Sequence, residues 1–199
     1  AEQSQQRLQA FRQYRSIARS PEAVGKLYAL WKDQKAPAGC SLSENDYISL
    51  SYDLAIQMPD KADEIVATQQ ARITNRTANG NIIHLTLRFS PQEVRDSVFA
   101  SLLVAENRRV EPWASAALSN LNCQLRQKEA VGYIRPALEA LQEIQRTGDI
   151  FFPRDWVRAL LTDNFFGSRK EVDDFFAAHP DYPVLLSNKI RQQADHLYR

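Results

Sequence analysis

Apolar positions recur with helical spacing along almost the whole chain. Leu8, Phe11 and Ala18 mark a first amphipathic segment over about residues 4–19. Ser20-Pro21 reads as an N-cap followed by proline at the first helical position. The helix it opens carries the stripe Val24, Leu27, Tyr28 and Trp31. Residues 35–43 form a Pro/Gly/Ser loop, and Ser43 is placed to cap a helix with Tyr47, Leu50, Leu54 and Met58 on one face. Pro59-Asp60 stops that helix and starts another, with Ala62, Ile65, Gln69 and Ile73 in line. Residues 75–81 are turn-rich. Ile82–Phe89 alternates like a strand, but nothing in the chain offers it a partner, and a lone strand leaves its backbone unpaired. The expectation there is a short helix.

The second half continues the pattern. Ser90-Pro91 repeats the cap-plus-proline device, and Glu93 completes a capping box with Ser90. Val94, Val98 and Leu102, widened by Phe99 and Leu103, form the expected inward stripe. Glu111-Pro112 opens a helix with Trp113, Ala117 and Leu121 inward, and residues 122–132 read as a polar connector. The next helix spans 133–147, with Pro136 in its first turn and Gly148 as a left-handed stop. Further helices follow at 153–166 (Trp156, Val157, Leu160, Leu161), from Ser168 (Val172, Phe175, Phe176), and at 183–199 (Leu186, Ile190, Ala194, Leu197). The pattern amounts to about ten helices joined by short loops, which makes successive helices antiparallel neighbours. The expected class is all-α, an α-solenoid of antiparallel hairpins forming one helical domain over 1–199, with a compact bundle as the structural alternative.

Composition narrows the function classes. Among 199 residues, 25 Lys+Arg balance 24 Asp+Glu, a net charge of +1 that offers no field for a nucleic-acid backbone. No run of about 18 apolar residues exists, so no membrane span is written in the sequence. The polar start lacks an apolar signal core and an initiator Met, which points to a segment of a longer protein. Cys40 and Cys123 cannot define a disulfide framework. The three histidines, His84, His179 and His196, are never four apart and form no H-E-x-x-H zinc motif. His179, at a helix end, suits a cation on the negative pole of the helix dipole. There is no nucleophile elbow, Walker loop or dinucleotide-binding glycine pattern. Glu171, Asp173 and Asp174 sit opposite an apolar face and read as solvated. Asn75-Arg76-Thr77 matches a glycosylation sequon of low specificity. Arginines remain the most suggestive polar groups. Arg72 and Arg76 end one helix, and Arg108 and Arg109 precede Glu111-Pro112-Trp113. A guanidinium fork suits a peptide carboxylate, whereas the plain alternative is carbonyl capping and pairing with surface acids.

Three ordered stretches resemble the C-terminal helical domain of the aminopeptidase N family of zinc metallopeptidases, bacterial members in particular. They are Ser90–Trp113, including Glu106-Asn107-Arg108-Arg109-Val110-Glu111-Pro112-Trp113; Leu141–Trp156, including Glu143-Ile144-Gln145-Arg146-Thr147-Gly148-Asp149-Ile150-Phe151-Phe152-Pro153; and the ending with Val172-Asp173-Asp174-Phe175-Phe176, His179-Pro180-Asp181-Tyr182-Pro183 and Lys189-Ile190. The resemblance covers about residues 85–199, and the first 80 residues match only in being helical.

That resemblance implies a HEAT-like domain that follows a thermolysin-like catalytic domain and curves over its cleft. Zinc, held by H-E-x-x-H and a downstream Glu, the Glu general base and the loop that binds the free amino terminus would all lie upstream of this chain, so no catalytic residue and no metal ligand is assigned here. The implied partners are the upstream catalytic domain of the same polypeptide and a peptide substrate. Arg72, Arg76, Arg108 and Arg109 are the candidate substrate-binding residues, by charge and position at helix ends. Compartment stays open between exported and cytoplasmic. The alternatives are a free-standing HEAT-like scaffold presenting a concave face to a peptide or protein partner and an enzyme with a helical active site of its own.

Overall fold

The computed structural model describes residues 2–74, 86–165 and 167–199. Every regular element among them is helical, with eleven α-helices and five short 3₁₀ segments, so the all-α class stands. No described helix is long and apolar enough to cross a membrane. The chain divides into two compact units, Ala1–Phe89 and Ser90–Arg199.

In the first unit, α1 spans Glu2–Ile17, α2 Pro21–Asp33, α3 Glu44–Gln57 and α4 Ala62–Arg72, with 3₁₀ segments at Pro59–Lys61 and Thr86–Arg88. Local chemistry sets the starts. Ser20 accepts from the Ala23 N–H at 3.2 Å, ahead of Pro21 in the first turn. Ser43 and Asp46 form a reciprocal capping box at the head of α3. α3 packs against both α2 and α4. The core gathers Phe11, Val24, Leu27, Trp31, Tyr47, Leu50, Leu54 and Ile65. Burial of each large side chain stabilises by about 2 kcal/mol. The Trp31 indole N–H, buried with its ring, donates to Gln69 Oε1 at 2.8 Å, so the one polar position in the expected α4 stripe has its partner.

In the second unit, α5 spans Gln92–Leu102, α6 Glu111–Leu121, α7 Gln127–Glu139, α8 Leu141–Thr147, α9 Phe152–Leu161, α10 Ser168–Ala178 and α11 Val184–Ala194. Three 3₁₀ segments, Ala105–Arg108, Gln124–Arg126 and Asp195–Tyr198, join or follow them. α9 is the hub and packs on α6, α7, α8 and α11, while α10 covers α7. Trp156, Val157, Leu160 and Leu161 on α9 are wholly buried, and the Trp156 indole N–H donates to the Ala137 carbonyl at 3.0 Å.

Several local expectations are corrected. Residues 127–132 belong to α7, which places Pro136 inside a helix, and the helix expected over 133–147 is two, α7 and α8. Trp113 is 63% exposed, and α6 instead buries Ala114, Ala117, Leu118 and Leu121. On α5 the buried line runs through Arg95, Phe99 and Leu102, with Val94 left exposed. Pro91, not Ser90, is the N-cap of α5 and makes no side-chain cap bond. Gly148 is extended (φ −99°) rather than left-handed. Its glycine answers to space, because a Cβ there would come within 2.6 Å of the Phe152 ring. Gly167, at φ +69°, is the left-handed residue that leads into α10. Of the expected short helix at 82–89, the described part contains the 3₁₀ segment Thr86–Arg88; the rest, with His84 and the sequon at 75–77, lies outside the described residues.

Candidate functional site

A cavity of about 550 Å³ runs along α6 and α9 in the second unit. Its walls follow helical spacing. Glu111, Ser115 and Ser119 come from successive turns of α6, and Asp155 and Arg158 from α9 with Thr162 at its C-cap, while Asp149 and Phe152 close one end. Asp149 accepts from the backbone N–H groups of Phe151 (2.6 Å) and Phe152 (2.8 Å), satisfying donors at the head of α9. Glu111 Oε1 in turn accepts from the Asp149 N–H at 2.9 Å, which ties the start of α6 to the 148–151 turn. Asp155 is bonded to its neighbour Arg154 at 3.0 Å and lies 3.8 Å from the Arg158 guanidinium. The cavity therefore presents three carboxylates and one guanidinium, and each carboxylate already accepts a hydrogen bond.

A pair with one buried and one half-buried member adjoins α9. Arg108 is 3% exposed, donates to the Leu102 carbonyl at 2.7 Å, pairs with Glu143 and lies over the Trp156 ring at 5.8 Å. Glu143 also accepts from the Thr147 hydroxyl at 3.0 Å. A second polar network links α5 to α7. Tyr133 donates to Asp96 at 2.6 Å, Gln92 donates to the Tyr133 oxygen at 3.0 Å, and Arg95 donates to Gln92 at 3.0 Å and to the Leu121 carbonyl at 3.2 Å. Burial lowers the pKa of Arg95 and raises that of Tyr133 to about 12, the latter helped by its bond to Asp96.

The four candidate arginines are placed differently. Arg72 donates to the Trp31 and Lys32 carbonyls at 3.1 and 3.0 Å and stacks over the Trp31 ring at 4.9 Å, closing the C-terminal end of α2. Arg76 lies outside the described residues. Arg108 is buried as described. Arg109 is exposed, and among the described residues its side chain makes no hydrogen bond or ion pair. Adjacent in sequence, Arg108 and Arg109 face opposite environments. Arg72 belongs to the first unit and the other two to the second.

The acids of the cavity were not singled out from sequence. The available signal was Asp149 directly after Gly148, an arrangement suited to a local cap. Glu111 gives no such signal, because its partner is 38 residues away. Arg95 gives no local signal either, because the Leu121 carbonyl that meets it lies 26 residues away. Among the described residues no three His, Cys, Asp or Glu side chains group as metal donors. His179 Nδ1 lies 2.9 Å from the Phe175 carbonyl at the end of α10, and its ring packs on Phe175 and Tyr182. Cys40 and Cys123 form no disulfide, and the first is half-buried and the second buried.

No family model matches this chain, and no curated protein or solved structure matches it.

Proposed function

We propose that the chain is the C-terminal, non-catalytic helical portion of a zinc-dependent aminopeptidase, with its hairpins arranged as an α-solenoid that walls the substrate chamber. The observation that carries this reading is the meeting of two of the resembling stretches. Glu106–Trp113 and Glu143–Pro153 are joined by the Arg108–Glu143 pair and by the bond from the Asp149 N–H to Glu111. Both stretches contribute to the cavity along α6 and α9. The third stretch packs on the same unit, with the Tyr182 hydroxyl directed at the Leu138 carbonyl at 3.4 Å. Residues that resemble one family in order along the chain thus form one structural neighbourhood.

On this reading zinc and the general base lie upstream, in the part of the polypeptide that carries H-E-x-x-H. There the metal polarises the scissile carbonyl and activates water. The present chain supplies walls that limit access, and Arg109, with its guanidinium unengaged, is its candidate contact to the far end of a peptide. The test is direct. The reading frame upstream of Ala1 should encode H-E-x-x-H, and the full-length protein should cleave amino-acid anilides in a chelator-sensitive manner. Residues 1–199 supplied with zinc should be inactive. An upstream frame without the motif, or chelator-sensitive turnover by residues 1–199 alone, overturns the proposal.

A second reading, a scaffold that binds a peptide or protein in trans, draws on the apolar side chains the second unit leaves open. Trp113 is 63% exposed, Ile150 79% and Phe151 59%. Exposed aromatic and aliphatic side chains of this size are common in binding surfaces. A reading frame that begins near Ala1 would favour this alternative.

A further inference from the structure

We propose that the first unit carries a binding pocket for a small apolar carboxylate, in which Arg7 holds the carboxyl group. The pocket lies between α1 and the 37–40 turn and has a volume of about 430 Å³, within the range of small-molecule sites. Its walls are apolar: Phe11 and Tyr14 from one face of α1, and Pro37 and Ala38 from the turn, with the Cys40 thiol at the edge. Arg7 is its one charged group.

Arg7 is set apart from the other described arginines of this unit. Arg12 is paired with Asp46, Arg15 and Arg88 with Asp53, and Arg19 and Arg72 donate to backbone carbonyls. Among the described residues the exposed Arg7 side chain makes no hydrogen bond or ion pair. Its guanidinium lies against Gly39. A Cβ built on that glycine would fall 1.9 Å from an Arg7 terminal nitrogen and 3.0 Å from its Cζ. Gly39 has φ +75°, and the turn is closed by the Cys40 N–H donating to the Pro37 carbonyl at 2.9 Å. The glycine thus permits both the left-handed turn and the approach of the guanidinium. The result is an exposed planar cation at the rim of an apolar pocket. A guanidinium fork recognises a carboxylate through two parallel hydrogen bonds, and the walls recognise an aryl or alkyl group by burial. A molecule that joins the two at short range satisfies both. This inference concerns other residues than the peptidase proposal and does not depend on it.

Cys40 provides the readout. It borders the pocket and is half-buried, whereas the other thiol, Cys123, is buried. Alkylation of Cys40 by iodoacetamide, followed by peptide mass mapping on the intact chain, reports occupancy. The expectation is that 3-phenylpropionate slows Cys40 alkylation saturably. 3-Phenylpropionamide, which lacks the charge, should need about tenfold higher concentration for the same protection. Inorganic phosphate should leave the rate unchanged, because it cannot use the apolar walls. Arg7→Gln should abolish the preference for acid over amide while circular dichroism shows unchanged helix content, and Arg7→Lys should keep part of it. Equal protection by acid and amide, a preference that survives Arg7→Gln, protection by phosphate alone, or no saturable protection by the acid would each overturn the assignment.

Discussion

The Tyr133 hydroxyl donates to Asp96 Oδ1 at 2.6 Å, joining α7 to α5. The bond has opposite consequences for its two ends. Tyr133 is pushed up to about 12, by burial first and by the bond to Asp96 second. Asp96 is held below the usual carboxylate range, by the Tyr133 hydroxyl first and Gln92 second. Tyr133→Phe should therefore raise the pKa of Asp96 toward its ordinary value, read by carboxyl NMR titration. An unmoved Asp96 would show that Gln92 alone sets it.

Burial also raises Tyr52 and Tyr182 to about 12. The unfolded chain releases these protons near the ordinary tyrosine pKa of about 10, so their contribution to stability is full below that pH. It is lost as pH rises from there to about 12, where the folded groups themselves ionise. Tyrosinate absorbance should show a late-ionising set that appears together with loss of helical circular dichroism. A simple titration at the ordinary pKa with the helix intact would contradict this.

Asp46 predicts the acid side. Partial burial raises its pKa, but the Arg12 guanidinium and the Ser43 hydroxyl and N–H outweigh that and hold it below 3.8. A depressed carboxylate contributes stability that is full above its unfolded pKa and is lost as pH falls through the folded value. Asp46→Asn should lower stability at neutral pH and flatten the acid limb of urea-unfolding midpoints against pH. An acid limb unchanged in slope would locate the dependence elsewhere.

Arg108→Ala removes the donor to the Leu102 carbonyl and leaves Glu143 without its main partner. Glu143 is about one-third exposed (34%), so its loss is softened by water. The expected cost is about 2 kcal/mol, below the range for a fully buried pair. Urea unfolding measures it, and Arg108→Lys should recover part of the loss.

Asn164 and Asn122 are wholly buried, and Asn164 donates to Asn122 Oδ1 at 2.7 Å and to the Leu160 carbonyl at 3.0 Å. Asn164→Leu should cost about 2 kcal/mol by leaving Asn122 Oδ1 without that donor. Asn164→Asp should cost more, since it buries an anion beside an acceptor. Thermal unfolding of the two variants gives the order, and an Asp variant as stable as the Leu variant would argue against it.

Within the proposed peptidase, Arg109 and Arg72 should separate. Arg109→Ala is expected to raise KM for peptides more than for amino-acid anilides, because only a longer substrate reaches it. Arg72→Ala should leave that ratio alone and lower stability by about 1 kcal/mol through loss of the α2 carbonyl cap. Equal effects of Arg109→Ala on both substrate types would remove it from the substrate path.

Helix type and most helix starts were legible from local chemistry. Ser20-Pro21 and Ser43 with Asp46 act on backbone groups within three residues, so the sequence window contains both partners. The α9 stripe of Trp156, Val157, Leu160 and Leu161 was equally plain, because one strongly amphipathic face admits one orientation. The failures have a common cause. Trp113 lies on one line with Ala117 and Leu121 and is expected inward with them, yet which face of α6 is covered depends on α9, whose residues lie about forty positions away. Arg95 was overlooked because a charged residue is buried only when distant groups meet it, here the Leu121 carbonyl 26 residues along the chain.

The sequence alone therefore determined the helical class of the described residues and the caps at Ser20 and Ser43, since those caps rest on interactions between near neighbours. Tertiary structure decided which arginines are engaged and which are open. Arg72, Arg108 and Arg95 are taken up by carbonyls and side chains of other helices, while Arg7 and Arg109 are left without partners. An arginine's partner is set by what the fold brings within hydrogen-bond reach, and no local pattern carries that distance.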